Sequence, residues 1–519
     1  MLKTARLFQD GCVLQQQKPC TVWGEGTPGR TVKAEIQGVS AEGIVKEDGR
    51  WEILLPALHA SEEENLRVSD GETNLVITKV GIGEVWILGG QSNMEFFMKF
   101  DKDYPEEKAR DSFPNIRFFD YPELTYPEAE EDFDYSRFGY WRRATAEDLE
   151  YFSAVGYYFA QQIVPDLKVP VGLVGCNYGG TPACSWMSPE VLKKHGKIWL
   201  DEYENQLHEN GFDQEEGLRK YIEASRKSPA SDHGNPFKDE NMNKLLYGTT
   251  REEQLEMLKY MAMAPQTVEE NPGAFMGPCH PWRPCGLYEM MLLHVAPYTA
   301  RGVLWYQGES DEPHGEIYKD VLTDMIQEWR DLWRDDLPFF LVQLAPFGQW
   351  LDCEGKRFPI VRKSQEYVAD HVDNVYLASI GNVGNLYDIH PKEKQPVGRR
   401  LGLLAQKYVY GKSVEADAPR YQTALREDKE VRIQFANAGT GLKAEGNPGK
   451  EFEVIEKETN RKLDSAEYEI AVRGTELVLT LKEEVKEKAL RILYCKKDYY
   501  EANIYNAVGL PAFPFEAEV

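Results

Sequence analysis

The sequence predicts an α/β fold with all-β flanks, and three observations point to it. Apolar strand-like runs alternate with helical patterns between about residues 81 and 412. Short β-type runs broken by glycine, proline and aspartate turns fill residues 1 to about 80, and similar runs return after 412. The chain has 519 residues, enough for roughly two to four domains.

The first β region rests on runs at 21–23, 31–36, 51–55 and 74–78. They are separated by turn signals such as Pro28-Gly29 and Asp48-Gly49, and suggest a small sandwich or barrel. In the middle region the strand candidates are 85–88, 169–174, 302–306, 339–344 and 375–380. The helical candidates are 152–163, 318–333, 360–371 and 397–410. Such alternation predicts a parallel sheet covered on both faces, with its functional edge at the carboxyl ends of the strands. Residues 190–284 interrupt the pattern with two charged helical stretches, 214–227 and 251–264, around a polar loop at 228–243. This reads as an insertion, and a solvated decoration is the plainest expectation for it. The last β region, 413–519, rests on runs at 431–435, 452–455, 468–472, 476–480 and 490–495.

Composition excludes several function classes. The formal charge is −26, from 86 Asp and Glu against 60 Lys and Arg, so neither nucleic acid nor an anionic membrane is an expected partner. No apolar run approaches bilayer length, and residues 1–10 lack the apolar core of a signal peptide, so a cytoplasmic location is expected. The eight cysteines are scattered, which suits free thiols. Cys279 and Cys285 bracket His280 without a second closely spaced ligand pair, so no metal is expected. Nothing in the sequence fixes an oligomeric state, and a homo-oligomer stays open.

Four loops that follow strand candidates carry the chemistry. Ser92, in Gly90-Gln91-Ser92-Asn93-Met94, directly follows the run 84–89. A serine at such a strand end, entering a helix-like run, is placed as a nucleophile, although Met94 breaks the Gly-x-Ser-x-Gly elbow pattern. The second loop is 175–181, where glycines let backbone N–H groups approach a ligand. The third, 305–311, offers Gln307 as an amide donor and Glu309 as a carboxylate that could orient a histidine. The fourth holds Asp388-Ile389-His390-Pro391. Histidine is the natural base for a serine hydroxyl, and Asp388, two residues earlier, is within reach to fix its tautomer.

These blocks resemble the sialate O-acetylesterase family, within the SGNH (GDSL-like) hydrolase superfamily. The resemblance rests on Gly90–Met94, on Gly179-Gly180-Thr181 with Trp186, on 305–310, and on 388–391 with Lys394, Val397 and Gly398. Segments 8–14 and 506–511 also look like this family's β regions.

The resemblance implies a three-layer α/β/α catalytic domain between N- and C-terminal β-domains. It also implies a serine esterase that removes acetyl groups from sugar hydroxyls without a cofactor. By position, Ser92 would be the nucleophile and His390 the base, with an oxyanion hole from the Ser92 and Gly180 N–H groups and the Gln307 side chain. The superfamily acid usually lies three residues before the histidine, whereas Asp388 lies two before. Asp388 is the preferred acid and Glu309 the rival.

The expected partner is a small-molecule or oligosaccharide acetyl ester. A sialate would need a positive group such as Arg283. Acetylated xylo- or manno-oligosaccharides would need aromatic platforms, for which Trp186, Trp282 and Trp305 are candidates. A non-catalytic carbohydrate-binding protein is the alternative from another class.

Overall fold

The computed structural model describes all residues except 111–112, 128, 130–138, 228–246, 249, 264–266, 352 and 484–487. The polar loop expected at 228–243 therefore lies outside the described residues.

Seven short strands open the chain: β1 (Lys3–Thr4), β2 (Val13–Gln15), β3 (Cys20–Glu25), β4 (Thr31–Ile36), β5 (Val39–Ile44), β6 (Arg50–Leu55) and β7 (Ser61–Ser69). In β4 and β6 every second residue is buried, the period expected of a sheet with one face on a core. The next strand, β8 (Asn74–Gly90), is 17 residues long and crosses the boundary expected near residue 80. Its first part pairs with β7, and residues 81–83 pair with β2. Its last part enters the central sheet, and from Val80 onward every residue is buried.

The central sheet adds β9 (Phe113–Asp120), β10 (Arg142–Ala144), β11 (Val171–Asn177), β12 (Gly302–Tyr306), β13 (Phe339–Val342) and, after the small hairpin β14 (Gln349–Trp350) and β15 (Cys353–Glu354), β16 (Val375–Ala378). Strand order is β10-β9-β11-β8-β12-β13-β16. All pairs from β9 to β16 are parallel, and β10 runs antiparallel on the edge. β8 lies between β11 and β12, so the three loops that leave their carboxyl ends are neighbours.

β9 has no counterpart among the strand candidates, and its sequence explains why. It contains Pro114 and a central Arg117, which break the apolar run. Arg117 is nonetheless buried, because its guanidinium donates to the carbonyls of Gly11, Glu62 and Lys79.

Helices Ala154–Leu167 and Gln395–Tyr408 pack against each other, as do Tyr318–Trp333 and Phe358–His371. The first contact is close because Gly398 faces the partner backbone: a Cβ there would lie 2.6 Å from the Val155 carbonyl oxygen. In the insertion the described helices are Pro189–His195, Lys197–Glu209, Glu215–Lys227 and Arg251–Ala262.

Among the described residues the chain ends in nine strands: β17 (Arg420–Glu427), β18 (Glu430–Ala436), β19 (Leu442–Ala444), β20 (Phe452–Glu456), β21 (Tyr468–Arg473), β22 (Glu476–Leu481), β23 (Leu490–Tyr494), β24 (Ile504–Asn506) and β25 (Phe515–Glu518). Their pairing is antiparallel, and they enclose an apolar cluster of their own. The opening strands, in contrast, share one continuous core with the central sheet. No helix among the described residues is long and apolar enough to cross a membrane. All eight cysteines are free thiols.

Candidate active site

Ser92 begins the four-residue helix Ser92–Glu95, directly beyond β8. The turn into it needs glycine: Gly90 has φ +129°, and a Cβ there would lie 2.2 Å from the Tyr306 carbonyl oxygen on β12. The Gln91 N–H donates to that same oxygen at 3.1 Å, which ties the turn to the neighbouring strand. Being first in a helix, the Ser92 N–H has no intrahelical acceptor.

The loop after β16 brings His390 to the serine. Its Nε2 lies 2.8 Å from Ser92 Oγ, and both residues are buried. Two aromatic rings stand edge-on to the imidazole: Tyr247, with centroids 5.1 Å apart, and Trp350, at 5.2 Å. Asp388 Oδ1 accepts from the backbone N–H of His390 at 2.8 Å, and Oδ2 lies 3.1 Å from Lys392 Nζ.

The glycine loop beyond β11 lies against the serine. A Cβ on Gly179 would sit 3.6 Å from the Ser92 Cβ. Gly180 has φ +73°, and its Cα side is covered by Trp282, which a Cβ would meet at 2.6 Å. The Trp282 indole N–H donates to the Gly179 carbonyl at 3.2 Å, while 46 % of that residue stays exposed. Trp282 is thus an aromatic surface at the edge of the site.

Gln307 departs from its expected role. Its Nε2 donates to the Thr181 carbonyl at 3.1 Å and to the Asp311 carboxylate, and its Oε1 accepts from Tyr318 OH at 2.9 Å. A side-chain amide has two N–H bonds, and both are engaged here. Gln307 anchors the glycine loop instead of offering a donor to substrate.

Trp186 and Trp305 are also corrected. They are 0 % and 1 % exposed and pack edge-on against each other and against Trp329, so neither has a face for a sugar. Arg283 donates to Glu289 at 2.9 Å, so a carboxylate already occupies its guanidinium.

Behind the serine lies a buried polar hub that the sequence reading did not assign. Asn93 Nδ2 donates to Glu309 Oε1 at 2.7 Å and to the Ile389 carbonyl at 3.0 Å. Asn93 Oδ1 accepts from Lys394 Nζ at 2.5 Å. The remaining Glu309 oxygen, Oε2, is buried with no hydrogen-bond partner. Burial pushes the Glu309 carboxyl up to about 7 and the Lys394 ammonium down to about 7. The signals in the sequence were position and resemblance: Asn93 follows the serine, Lys394 lies four residues beyond His390, and both fall in the blocks that resemble the family.

Three further carboxyls, Glu95, Asp120 and Glu123, lie near one another. Burial raises Glu95 to about 7, Asp120 to about 8 and Glu123 well above its ordinary value. Glu95 Oε1 accepts from Tyr247 OH at 3.2 Å. Among the described residues no group of three or more His, Cys, Asp or Glu is arranged to hold a metal ion.

With this geometry in place, similarity to known proteins becomes informative. Residues 82–210 and 279–402 match the family model described as "Carbohydrate esterase, sialic acid-specific acetylesterase". The chain is 24% identical to the sialate O-acetylesterase of Mus musculus over 485 residues, which is 83% of this chain and 80% of that protein. To the human sialate O-acetylesterase it is 22% identical over 444 residues, 78% and 71% of the two chains. In fold it is similar to a carbohydrate acetylesterase from Xanthomonas citri, with a TM-score of 0.72 at 24% identity over 99% of both chains. The two matched segments contain Ser92, Gly180, Gln307, Glu309 and His390, and they skip most of the insertion. Residues 82–210 and 279–402 of this chain belong to the sialic acid-specific acetylesterase family of carbohydrate esterases.

Proposed function

We propose that this protein is a carbohydrate O-acetylesterase that works through a serine acyl-enzyme. The observation that carries the reading is the 2.8 Å contact between Ser92 Oγ and His390 Nε2. His390 takes the hydroxyl proton as Ser92 Oγ attacks the acetyl carbonyl. The tetrahedral oxyanion is received by the N–H groups of Ser92 and Gly180. His390 then returns the proton to the departing sugar oxygen, which leaves as the alcohol. A water molecule gives a proton to the same imidazole as it attacks the acetyl-enzyme, and that proton passes to Ser92 Oγ as acetate departs.

Asp388 is assigned as the acid because it is held against the His390 backbone N–H. Glu309 is the competing assignment, favoured by its buried, unpartnered Oε2. We read the central sheet and its helices, about residues 81–412, as an SGNH-type three-layer domain between two β-domains, and place the enzyme in the cytoplasm.

Two substrate readings follow. Family membership favours an O-acetylated sialate. The surroundings of Ser92 favour a neutral acetylated sugar, such as a xylo- or manno-oligosaccharide. Arg283 is engaged by Glu289, and Trp282 presents an exposed ring.

Acetate release from 9-O-acetyl sialic acid and from acetylated xylo- and manno-oligosaccharides tests both readings. Release from none of them, with no fluorophosphonate labelling of Ser92, would favour a non-catalytic sugar-binding protein.

A further inference from the structure

The insertion at 190–284 does more than cover surface. Tyr247 is 1 % exposed and forms one of the two walls of the His390 imidazole. The other wall, Trp350, is held from the insertion as well. Gln254, on the helix Arg251–Ala262, is 2 % exposed. With its amide turned so that the oxygen faces the indole, it accepts from Trp350 Nε1 at 3.1 Å and donates to the Tyr387 carbonyl at 3.2 Å.

One turn earlier, Arg251 NH2 donates to Gln349 Oε1 at 3.3 Å, and its guanidinium lies 5.0 Å from the Tyr387 ring centroid. Residues three apart share a helix face, so a single face grips both the β14 hairpin and the loop that leads to His390.

We propose that Gln254 and Arg251 are positioning residues: the insertion helix fixes Trp350 and the Tyr387 loop, and through them the aim of His390 at Ser92. The argument is steric and polar together. A 2.8 Å contact between Nε2 and Oγ survives only if the imidazole plane is held, and two edge-on rings confine that plane. Trp350 stays in place because its N–H has an acceptor. Without Gln254 that buried donor would be left unsatisfied, and the ring would be drawn to another rotamer. The inference rests on the proposed role of His390 as base.

The test is a double-mutant cycle with p-nitrophenyl acetate on the full chain. Gln254→Ala removes the acceptor, and Trp350→Phe removes the donor while keeping an aromatic wall. Each is expected to lower kcat about tenfold, with KM changed less than about twofold. The double variant should be no worse than Gln254→Ala, because the Gln254–Trp350 bond is already lost in that variant. Gln254→Glu keeps the acceptor for Trp350 but loses the donor to the Tyr387 carbonyl, so its kcat should lie between those of Gln254→Ala and the parent.

Full kcat in Gln254→Ala, or losses that multiply in the double variant, would overturn the proposal. Should Gln254→Ala fail to fold, the cycle is run with Arg251→Met and Trp350→Phe. Full kcat in Arg251→Met overturns the proposal equally. Ser92→Ala serves as the separate control: activity surviving in it would remove the serine acyl-enzyme reading itself.

Discussion

Lys394 Nζ donates to Asn93 Oδ1 at 2.5 Å in a fully buried position, and the same Asn93 holds Glu309 and the Ile389 carbonyl through its Nδ2. The amide beside Ser92 is therefore joined to the residue before His390 and to two ionisable groups of opposite type. Asn93→Ala would leave a buried lysine and a buried glutamate without that link. Removing such a partner costs on the order of 3 kcal/mol. The expected outcome is a urea midpoint lowered accordingly, and an esterase rate reduced even where the variant is folded, because the Ile389 tether is lost. An unchanged midpoint would show that Asn93 is not the hub.

Ser92→Ala tests the nucleophile. The hydroxyl is buried and bonded to His390, so its loss removes the acylating oxygen with little change in packing. Turnover of p-nitrophenyl acetate should drop by roughly 10⁴-fold or more, while the thermal midpoint stays near that of the parent. Substantial turnover in a folded Ser92→Ala protein would exclude Ser92.

Asp388→Asn and Glu309→Gln separate the two acids. If Asp388 stabilises the imidazolium, its amide variant should lose about 10⁴-fold in kcat, and Glu309→Gln far less. The reverse order would transfer the role to Glu309 and leave Asp388 as a residue that shapes the loop through the His390 backbone N–H.

Much of this site was legible in the sequence, for a definite reason. Ser92, Gly180, Gln307, Glu309 and His390 each follow a strand of a parallel sheet, and such a sheet gathers the loops at its carboxyl edge. The apolar runs at 302–306 and 318–333 became elements with those same bounds. The misses have physical causes too. β9 was hidden because Arg117 satisfies its charge with backbone carbonyls far away in sequence. Trp186 and Trp305 looked like sugar platforms because an indole in a motif gives no sign of which side it faces. Gln307 was misread because its partners Thr181 and Tyr318 come from another loop and from a helix. Tyr247 and Trp350 reach His390 only through tertiary folding, from 143 and 40 residues away.

The raised carboxyls predict how stability varies with pH. Asp120 is lifted from 3.8 to about 8, chiefly by burial. Between those values the folded chain keeps a proton that the unfolded chain has released. Unfolding then releases that proton, so stability falls as pH rises through this window. Glu95 and Glu309, raised to about 7, act in the same direction. Lys394, lowered from 10.5 to about 7, acts in the opposite direction, and only above 7. The thermal midpoint should therefore decline from pH 5 to 7. Asp120→Asn should flatten the decline, since one group contributes at most about 1.4 kcal/mol per pH unit. A variant with the parent's slope would show that Asp120 titrates normally.

Trp282 and Trp186 should respond in opposite ways to the same change. Trp282 is 46 % exposed over Gly180, and Trp186 is wholly enclosed against Trp305 and Trp329. Trp282→Ala removes a stacking face beside the oxyanion loop but opens no core cavity. It should raise KM for an acetylated oligosaccharide while leaving KM for p-nitrophenyl acetate nearly constant, because the small ester has no sugar ring to stack. The thermal midpoint should hardly move. Trp186→Ala should instead destabilise by about 3–5 kcal/mol through the cavity it leaves. It should also loosen the glycine loop, since its indole N–H donates to Thr181 Oγ1 at 3.1 Å. Equal KM changes for both esters in Trp282→Ala would remove the sugar-platform role and leave that ring as a cover for Gly180.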